Sequence, residues 1–225
     1  MALELYWGSG SPYSWRVQLA LEYKRLPYES HLLQFSKQEH KSPQVLRMNP
    51  RGRVPVLRDG DFIVFESLAC MLYVDRRYPE PPLFGRTPEE AGTIMRVICE
   101  YQAYAEQYLM KIVYAVFLED LDERPEDVMR AMQLVAGEAR TIEGRLSRSD
   151  WLVGEHVSAA DMVVFPGIML LLRAMEKREA GDLRSRFLPM ETTYPAIAGW
   201  IRRMQALPGY ERTVPPHWRE GAPRG

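Results

Sequence analysis

With 225 residues, 46% of them hydrophobic, the chain has enough apolar side chain for one large domain or two small ones with packed cores. Its 29 lysines and arginines are balanced by 30 acidic residues, with no block of like charge, so a nucleic acid or an anionic membrane surface would find no electrostatic footprint. No window approaches the apolar length of a membrane span, and Met1-Ala2-Leu3-Glu4 lacks a basic region ahead of an apolar one, so the cytoplasm is the expected compartment and a small molecule or protein the expected partner. Cys70 and Cys99 sit in helical apolar patterns and are expected to pack as small hydrophobes.

Leu3-Glu4-Leu5-Tyr6-Trp7 alternates as a first strand, and Trp15 to Lys24 has helical spacing that ends before Pro27. Tyr28 to Phe35 reads as a second strand. Val54 to Arg58 and Phe62 to Phe65 flank Asp59-Gly60, a dipeptide that supplies the positive φ angles of a tight hairpin, so these runs are two antiparallel strands. Val54-Pro55 opens the first, where a proline withholds a ladder donor and suits a cis bond that turns the Val54 backbone away from the sheet. Leu68 to Val74 is helical, with Ser67 as its expected cap beside unpaired amides that would welcome a carboxylate. The order β-α-β-β-α predicts a thioredoxin-like domain over residues 1–82.

Arg77 to Gly85 is too proline-dense to continue a helix and reads as a linker, placed at about residues 79–87. The remainder, 83–225, reads as an all-helical domain. Thr87-Pro88-Glu89-Glu90 opens it with a capping box, and Ser158-Ala159-Ala160-Asp161 repeats the device with an aspartate ahead of the apolar helix Met162 to Arg173. After Gly209 the Pro-, Arg- and Gly-rich end is expected to be loosely held, with Trp218 the residue able to dock back onto the body.

Ser11-Pro12-Tyr13-Ser14 lies between the first strand and first helix, where a thioredoxin-like domain exposes amides at a helix N-terminus. It resembles the glutaredoxin signature Cys-Pro-Tyr-Cys with both cysteines replaced by serine. Such a site does not exchange disulfides, but a hydroxyl there can donate to the sulfur of a bound thiol. Bringing a thiol from a pKa of about 8.5 to near neutrality takes roughly 2–3 kcal/mol. One hydrogen bond to a charged group offers ~1.5–3 kcal/mol and a helix terminus ~0.3–1, so no metal is required. Ser11 is the first candidate for this hydroxyl, with Ser9, Ser14, Tyr6 and Tyr13 as alternatives.

The stretch Asn49-Pro50-x-Gly52-x-Val54-Pro55-x-Leu57 through Asp59-Gly60, then Glu66-Ser67-x-Ala69, the linker and the Ser158-x-x-Asp161 box, resembles the cytosolic glutathione transferase family over nearly the whole chain. The resemblance implies glutathione as substrate or cofactor and a homodimer. It assigns Val54 and Pro55 to the cysteinyl unit of glutathione, and Glu66 and Ser67 to its γ-glutamyl end. His40, Lys41 and Arg53 look like theta-type positions that grip the glycyl carboxylate, whereas Ser14-Trp15-Arg16-Val17 looks like the zeta class, whose members isomerise maleylacetoacetate. The zeta signature has Ser-Ser-Cys where this chain has Ser11-Pro12-Tyr13, so the class stays open.

For the second substrate, Tyr101, Tyr104 and Tyr108 recur at helical spacing, followed by Lys111, Val113 and Phe117. This stripe either packs a helical bundle or walls an apolar cleft. On the second reading Tyr13, Tyr104, Tyr108 and Lys111 form the electrophile site. The function expected is attack of a glutathione thiolate on a hydrophobic electrophile. The alternatives are a glutathione-dependent isomerase or dehalogenase, and a non-catalytic glutathione-binding or protein-interaction module.

Overall fold

The computed structural model describes residues 3–118 and 125–219. Its chain divides into two compact units, residues 3–83 with 206–219, and Phe84–Gln205. The C-terminal segment therefore belongs with the first unit, not with the helical one that the sequence suggested.

In the first unit β1 (Leu3–Trp7), α1 (Pro12–Tyr23) and β2 (Tyr28–Leu32) are followed by a short α2 (Pro43–Met48). The hairpin β3 (Val56–Asp59) and β4 (Phe62–Phe65) and then α3 (Ser67–Arg77) complete it. The sheet is four-stranded in the order β2-β1-β3-β4, with β1 parallel to β2 and the other pairs antiparallel. Val56 pairs with Phe65 and Asp59 with Phe62 across the Asp59-Gly60 turn, where Gly60 has φ +61°. This is the thioredoxin-like arrangement. Its core is built from Leu5, Val17, Leu21, Leu57, Cys70, Met71 and Val74, all fully buried where α3 packs on α1 and on the hairpin.

Two local differences from the sequence reading have simple causes. β2 ends at Leu32 because its partner β1 ends at Trp7, opposite it, and the Leu33 amide, donating to the Trp7 carbonyl at 2.7 Å, makes the last bond between the two strands. The helix α2, absent from that reading, begins on a Ser-Pro pair: Ser42 accepts from the Val45 amide at 3.4 Å, and Pro43 occupies the first turn.

Residues between α3 and the second unit are held by a buried cation. Lys24 Nζ reaches the carbonyls of Tyr78 at 2.7 Å and Pro81 at 2.5 Å and pairs with Asp75 at 2.8 Å, while Asp75 accepts from the Leu83 amide at 2.8 Å. The proline-rich stretch is thus pinned rather than free.

The C-terminal segment, expected to be loosely held, is anchored through residue 218. A short α10 (Tyr210–Thr213) packs on α1, Trp15 Nε1 donates to Thr213 Oγ1 at 2.8 Å, and Arg212 Nε donates to Glu22 at 2.7 Å. Trp218 meets the Trp15 ring edge-on at 5.3 Å. Burying Trp15 and the Thr213 hydroxyl together satisfies both polar groups inside an apolar contact.

The second unit consists of helices: α4 (Pro88–Tyr101), a π-helical turn (Gln102–Glu106), α5 (Gln107–Phe117), α6 (Pro125–Leu146), α7 (Ala159–Met175), a short α8 (Met190–Thr193) and α9 (Pro195–Gln205). Both expected capping boxes form, at Thr87 with Glu90 and at Ser158 with Asp161. Asp161 does more than cap. Fully buried, it accepts from the amides of Leu152 and Ser158, the Ser158 hydroxyl and Trp200 Nε1, and so ties α7 to α9. α7 is the core helix, with Phe165 edge-on to Trp200 at 5.7 Å.

Candidate functional site

The chain leaves β1 through a turn, closed by the Ser11 amide donating to the Gly8 carbonyl at 3.1 Å, with Gly10 at φ +80°. Ser11 then caps α1. Its Oγ accepts from the Ser14 amide at 3.2 Å, and Pro12 fills the first helical position. A hydroxyl that accepts from an amide still has its own proton to donate. Ser11 is half-buried, so part of the residue is open to solvent.

The rival hydroxyls are placed differently. The Tyr6 ring is 4% exposed and stacked on His31, and its hydroxyl donates to Glu4 at 2.9 Å. Burial first, and Glu4 second, raise its pKa, the wrong direction for a group that must donate to sulfur and stabilise an anion. Ser14 is fully buried, with its Oγ enclosed in the protein. Tyr13 is half-buried, with the Arg16 guanidinium 4.9 Å over its ring. Ser9 is also half-buried, on the same turn as Ser11.

The Val54-Pro55 peptide bond is cis. The ladder with β1 begins at Val56, so the Val54 backbone lies outside the sheet pairing. The approach to this turn is organised by Asn49, which is buried. Its side chain donates to the Arg53 carbonyl at 2.9 Å and accepts from the Arg51 amide at 3.1 Å, while its own carbonyl accepts from Gly52 at 2.8 Å. Sequence reasoning quoted Asn49 without a role, although an asparagine beside Pro-x-Gly is a recognisable loop organiser.

At the start of α3, Glu66 is the cap residue and Ser67 the first residue of the helix, a correction to the expected Ser67 cap. Glu66 has φ +70° and ψ 117°, a conformation that costs a non-glycine residue about 1–3 kcal/mol. Its side chain is exposed. Beneath lies a residue the sequence reading left without a role. Arg16 is 0% exposed on α1 and donates from Nη1 to Ser67 Oγ at 3.4 Å. A guanidinium hydrogen-bonded to the first residue of a helix adds to the preference of that N-terminus for an anion. Nothing in the amphipathic pattern of α1 distinguishes Arg16 from a solvated arginine.

His40, Lys41 and Arg53 form a third cluster. Lys41 Nζ donates to the Arg51 carbonyl at 3.1 Å, and an added Cβ on Gly52 would fall 2.7 Å from the Lys41 side chain. Burial, then the charges of Lys41 and Arg53, lowers the His40 pKa below the usual imidazole value, so the ring is neutral at pH 7. Its Nδ1 is buried without a hydrogen-bond partner. Phe35 stands edge-on to His40 at 5.1 Å and lies so close over Gly8 that a Cβ there would sit 2.2 Å from the ring. Phe35, unmarked in the sequence reading, thus links the cationic cluster to the turn that carries Ser9 and Ser11. Among the described residues there is no group of acidic, histidine or cysteine side chains able to hold a metal ion.

On the second unit the expected aromatic stripe is broken. The π-helical turn shifts the register after Tyr101, so Tyr101 is 4% exposed and packs over Gly167, while Tyr104 is 60% exposed and Tyr108 half-buried. Tyr101 is therefore core. Lys111 is exposed and pairs with Asp127 at 3.0 Å.

A thioredoxin-like unit with a cis-proline ahead of its hairpin, continued in one chain by an all-helical unit, is the architecture of glutathione-dependent transferases. The chain belongs to the glutathione S-transferase family: residues 10–77 match its N-terminal domain and 104–208 its C-terminal domain. Glutathione S-transferase A of Pleuronectes platessa is 30% identical over 228 residues, spanning 99% of this chain and 95% of that protein. A glutathione S-transferase from the Antarctic clam Laternula elliptica has a similar structure, with a TM-score of 0.79 and 27% identity, covering 98% of this chain and 95% of that one. The glutathione transferase URE2P8 from Phanerochaete chrysosporium, solved with oxidized glutathione, superimposes with a TM-score of 0.79 at 25% identity, over 94% of this chain and 92% of that one.

Proposed function

We propose that the protein binds glutathione on its thioredoxin-like unit and activates the thiol for attack on a hydrophobic electrophile. The observation that carries this reading is the state of Ser11: its oxygen caps α1 at 3.2 Å from the Ser14 amide while its proton stays available to a sulfur. In this reading the helix terminus and the Ser11 hydroxyl together supply the roughly 2–3 kcal/mol needed to hold a thiolate near neutral pH. Val54 pairs its backbone with the cysteinyl unit, and Pro55 keeps that backbone turned outward. Glu66 accepts from the γ-glutamyl ammonium, while Ser67, backed by Arg16, receives the α-carboxylate. His40, Lys41 and Arg53 receive the glycyl carboxylate.

Bond by bond, the thiol proton leaves to solvent, the thiolate attacks an electrophilic carbon, and the displaced group departs with the electron pair of its bond. Tyr13 on the first unit and Tyr104 and Tyr108 on the second are the aromatic residues proposed to contact the electrophile. Lys111, the fourth residue proposed for the electrophile site, is paired with Asp127 at 3.0 Å, so it would have to leave that partner to meet a substrate. The reading places the protein in the cytosol as a homodimer. Phe62, Ile63 and Leu72, exposed apolar residues of the hairpin and α3, are surface that a second copy would cover. Light scattering at a single-subunit mass removes the dimer.

Calorimetric titration with glutathione tests binding, and conjugation of a chloroaromatic electrophile tests the chemistry. The Ser11→Ala variant is expected to raise the pH at which bound glutathione gains thiolate absorbance and to lower turnover by at least about tenfold, with affinity changed much less. An unaltered absorbance titration takes Ser11 out of the role. Binding without conjugation across a substrate panel assigns the protein as a binding module, and recovery of unconsumed glutathione beside an altered substrate assigns it as an isomerase.

A further inference from the structure

The C-terminal segment ends against the turn that precedes α1, within the same unit. His217 Nδ1 lies 2.6 Å from Ser9 Oγ, and an added Cβ on Gly10 would come 2.9 Å from His217 Cε1, so the imidazole rests on the turn between Ser9 and Ser11. Trp218 Nε1 donates to His217 Nε2 at 3.0 Å. An indole N–H only donates, so Nε2 is the lone-pair nitrogen of this imidazole. In the neutral ring the proton then resides on Nδ1, which makes His217 the donor and Ser9 Oγ the acceptor. Ser9, half-buried at the tip of the turn, is left with its own hydroxyl proton to give to a further acceptor.

The segment is not a chance contact of a loose end. It is held upstream by Trp15 to Thr213 at 2.8 Å and by Arg212 to Glu22 at 2.7 Å, and the Trp218 ring closes on Trp15. These anchors fix where His217 stands. A chain of three donors, indole to imidazole to hydroxyl, polarises each bond in turn and strengthens the last one.

We infer that His217, delivered by the anchored C-terminal segment, is a positioning residue that aims the Ser9 hydroxyl as a second hydrogen-bond donor to the glutathione sulfur. This rests on the reading of Ser11 as the first donor and adds a device drawn from the other end of the chain. No proton is transferred along it. The thiol proton still leaves to solvent, and Ser9 contributes only a hydrogen bond to the resulting thiolate.

The test uses the full chain and the absorbance of the thiolate of bound glutathione as a function of pH, with kcat and KM for a chloroaromatic electrophile measured alongside. Ser9→Ala removes the donor. His217→Phe keeps a ring on Gly10 and against Trp218 but has no nitrogen. His217→Asn restores a donor close to the place of Nδ1. Ser9→Ala and His217→Phe are each expected to move the thiol titration upward and to lower kcat near pH 6.5 by about three- to tenfold, with KM for glutathione little changed. The double variant is expected to go no further than Ser9→Ala alone, and His217→Asn to recover most of the loss.

An unmoved titration in His217→Phe, or additive losses in the double variant, overturns the inference. If Ser11→Ala moves the titration in the same experiment while His217→Phe does not, the reading of Ser11 stands and only the role of His217 falls. No thiolate signal in the unmodified protein removes both. A merely structural role for the segment would lower the melting temperature in His217→Phe and His217→Asn alike without the titration shift, which also counts against the inference.

Discussion

Lys24 Nζ lies 2.8 Å from Asp75 Oδ1, and both side chains are buried. The pair sits at the exit of the thioredoxin-like unit, where Lys24 also takes the carbonyls of Tyr78 and Pro81 and Asp75 takes the Leu83 amide. Removing one member of such a pair leaves the other as an uncompensated buried charge, at a cost of about 3–5 kcal/mol. Lys24→Met is therefore expected to lower the urea midpoint sharply. Lys24→Met combined with Asp75→Leu should recover much of that loss, because two apolar groups of similar volume leave no stranded charge. Chemical denaturation of the three proteins checks this, and a double variant no better than the single removes the charge-pair explanation.

Arg16 is expected to matter for binding as well as for folding. Its contact with Ser67 at 3.4 Å is the link between α1 and the proposed carboxylate subsite. Arg16→Met should weaken glutathione binding about tenfold or more by calorimetry, from the loss of roughly 1.5–3 kcal/mol of charge-assisted support. Arg16→Lys keeps the charge without the planar fork and should fall between the two. Equal affinities for all three proteins would show that Arg16 supports only the helix pair.

Much of this was legible in the chain because the signals are local. Asp59-Gly60 between two apolar runs announces its hairpin, and the register Val56 to Phe65 follows from it. Thr87-x-x-Glu90 and Ser158-x-x-Asp161 announce their helices for the same reason. Arg16, Phe35 and His217 were not legible. Each takes its meaning from a partner far along the chain: Ser67 lies 51 positions from Arg16, and His217 lies 208 from Ser9. The stripe of Tyr101, Tyr104 and Tyr108 misled in another way. A regular helical period assumes a regular helix, and the π-helical turn at Gln102–Glu106 rotates Tyr101 into the core while leaving Tyr104 outside. The C-terminal composition suggested a loose end, but Trp15 and Glu22 supply tertiary anchors that no local pattern reports.

The two cysteines should behave differently. Cys70 is fully buried with its Sγ 3.4 Å from the Val64 carbonyl, and burial pushes its thiol up to about 12. Cys99 is exposed. Since the thiolate is the reactive form, a thiol reagent at pH 8 should modify Cys99 and leave Cys70 intact until the protein is denatured. Mass spectrometry of a digest locates the label. Modification of Cys70 in the native protein at a rate comparable to Cys99 would show that the first unit opens readily.

His40 offers a pH dependence whose sign is fixed. Burial, with Lys41 and Arg53 nearby, lowers its pKa from the ordinary value of 6.5, so the folded protein gives up a proton that the unfolded chain would keep. Stability contributed by this site is thus lost as the pH falls below 6.5 and through the folded value, because the unfolded state then binds more protons. A glycyl carboxylate docked on the cluster has the opposite influence, since an anion favours the charged imidazole. At this site glutathione binding is then expected to take up protons below pH 6.5, opposite in sign to the proton released where the bound thiol ionises. Calorimetry in two buffers of different ionisation enthalpy measures the uptake, and His40→Ala should abolish it. Proton uptake that persists in His40→Ala would place the coupling on another group and leave His40 outside the carboxylate site.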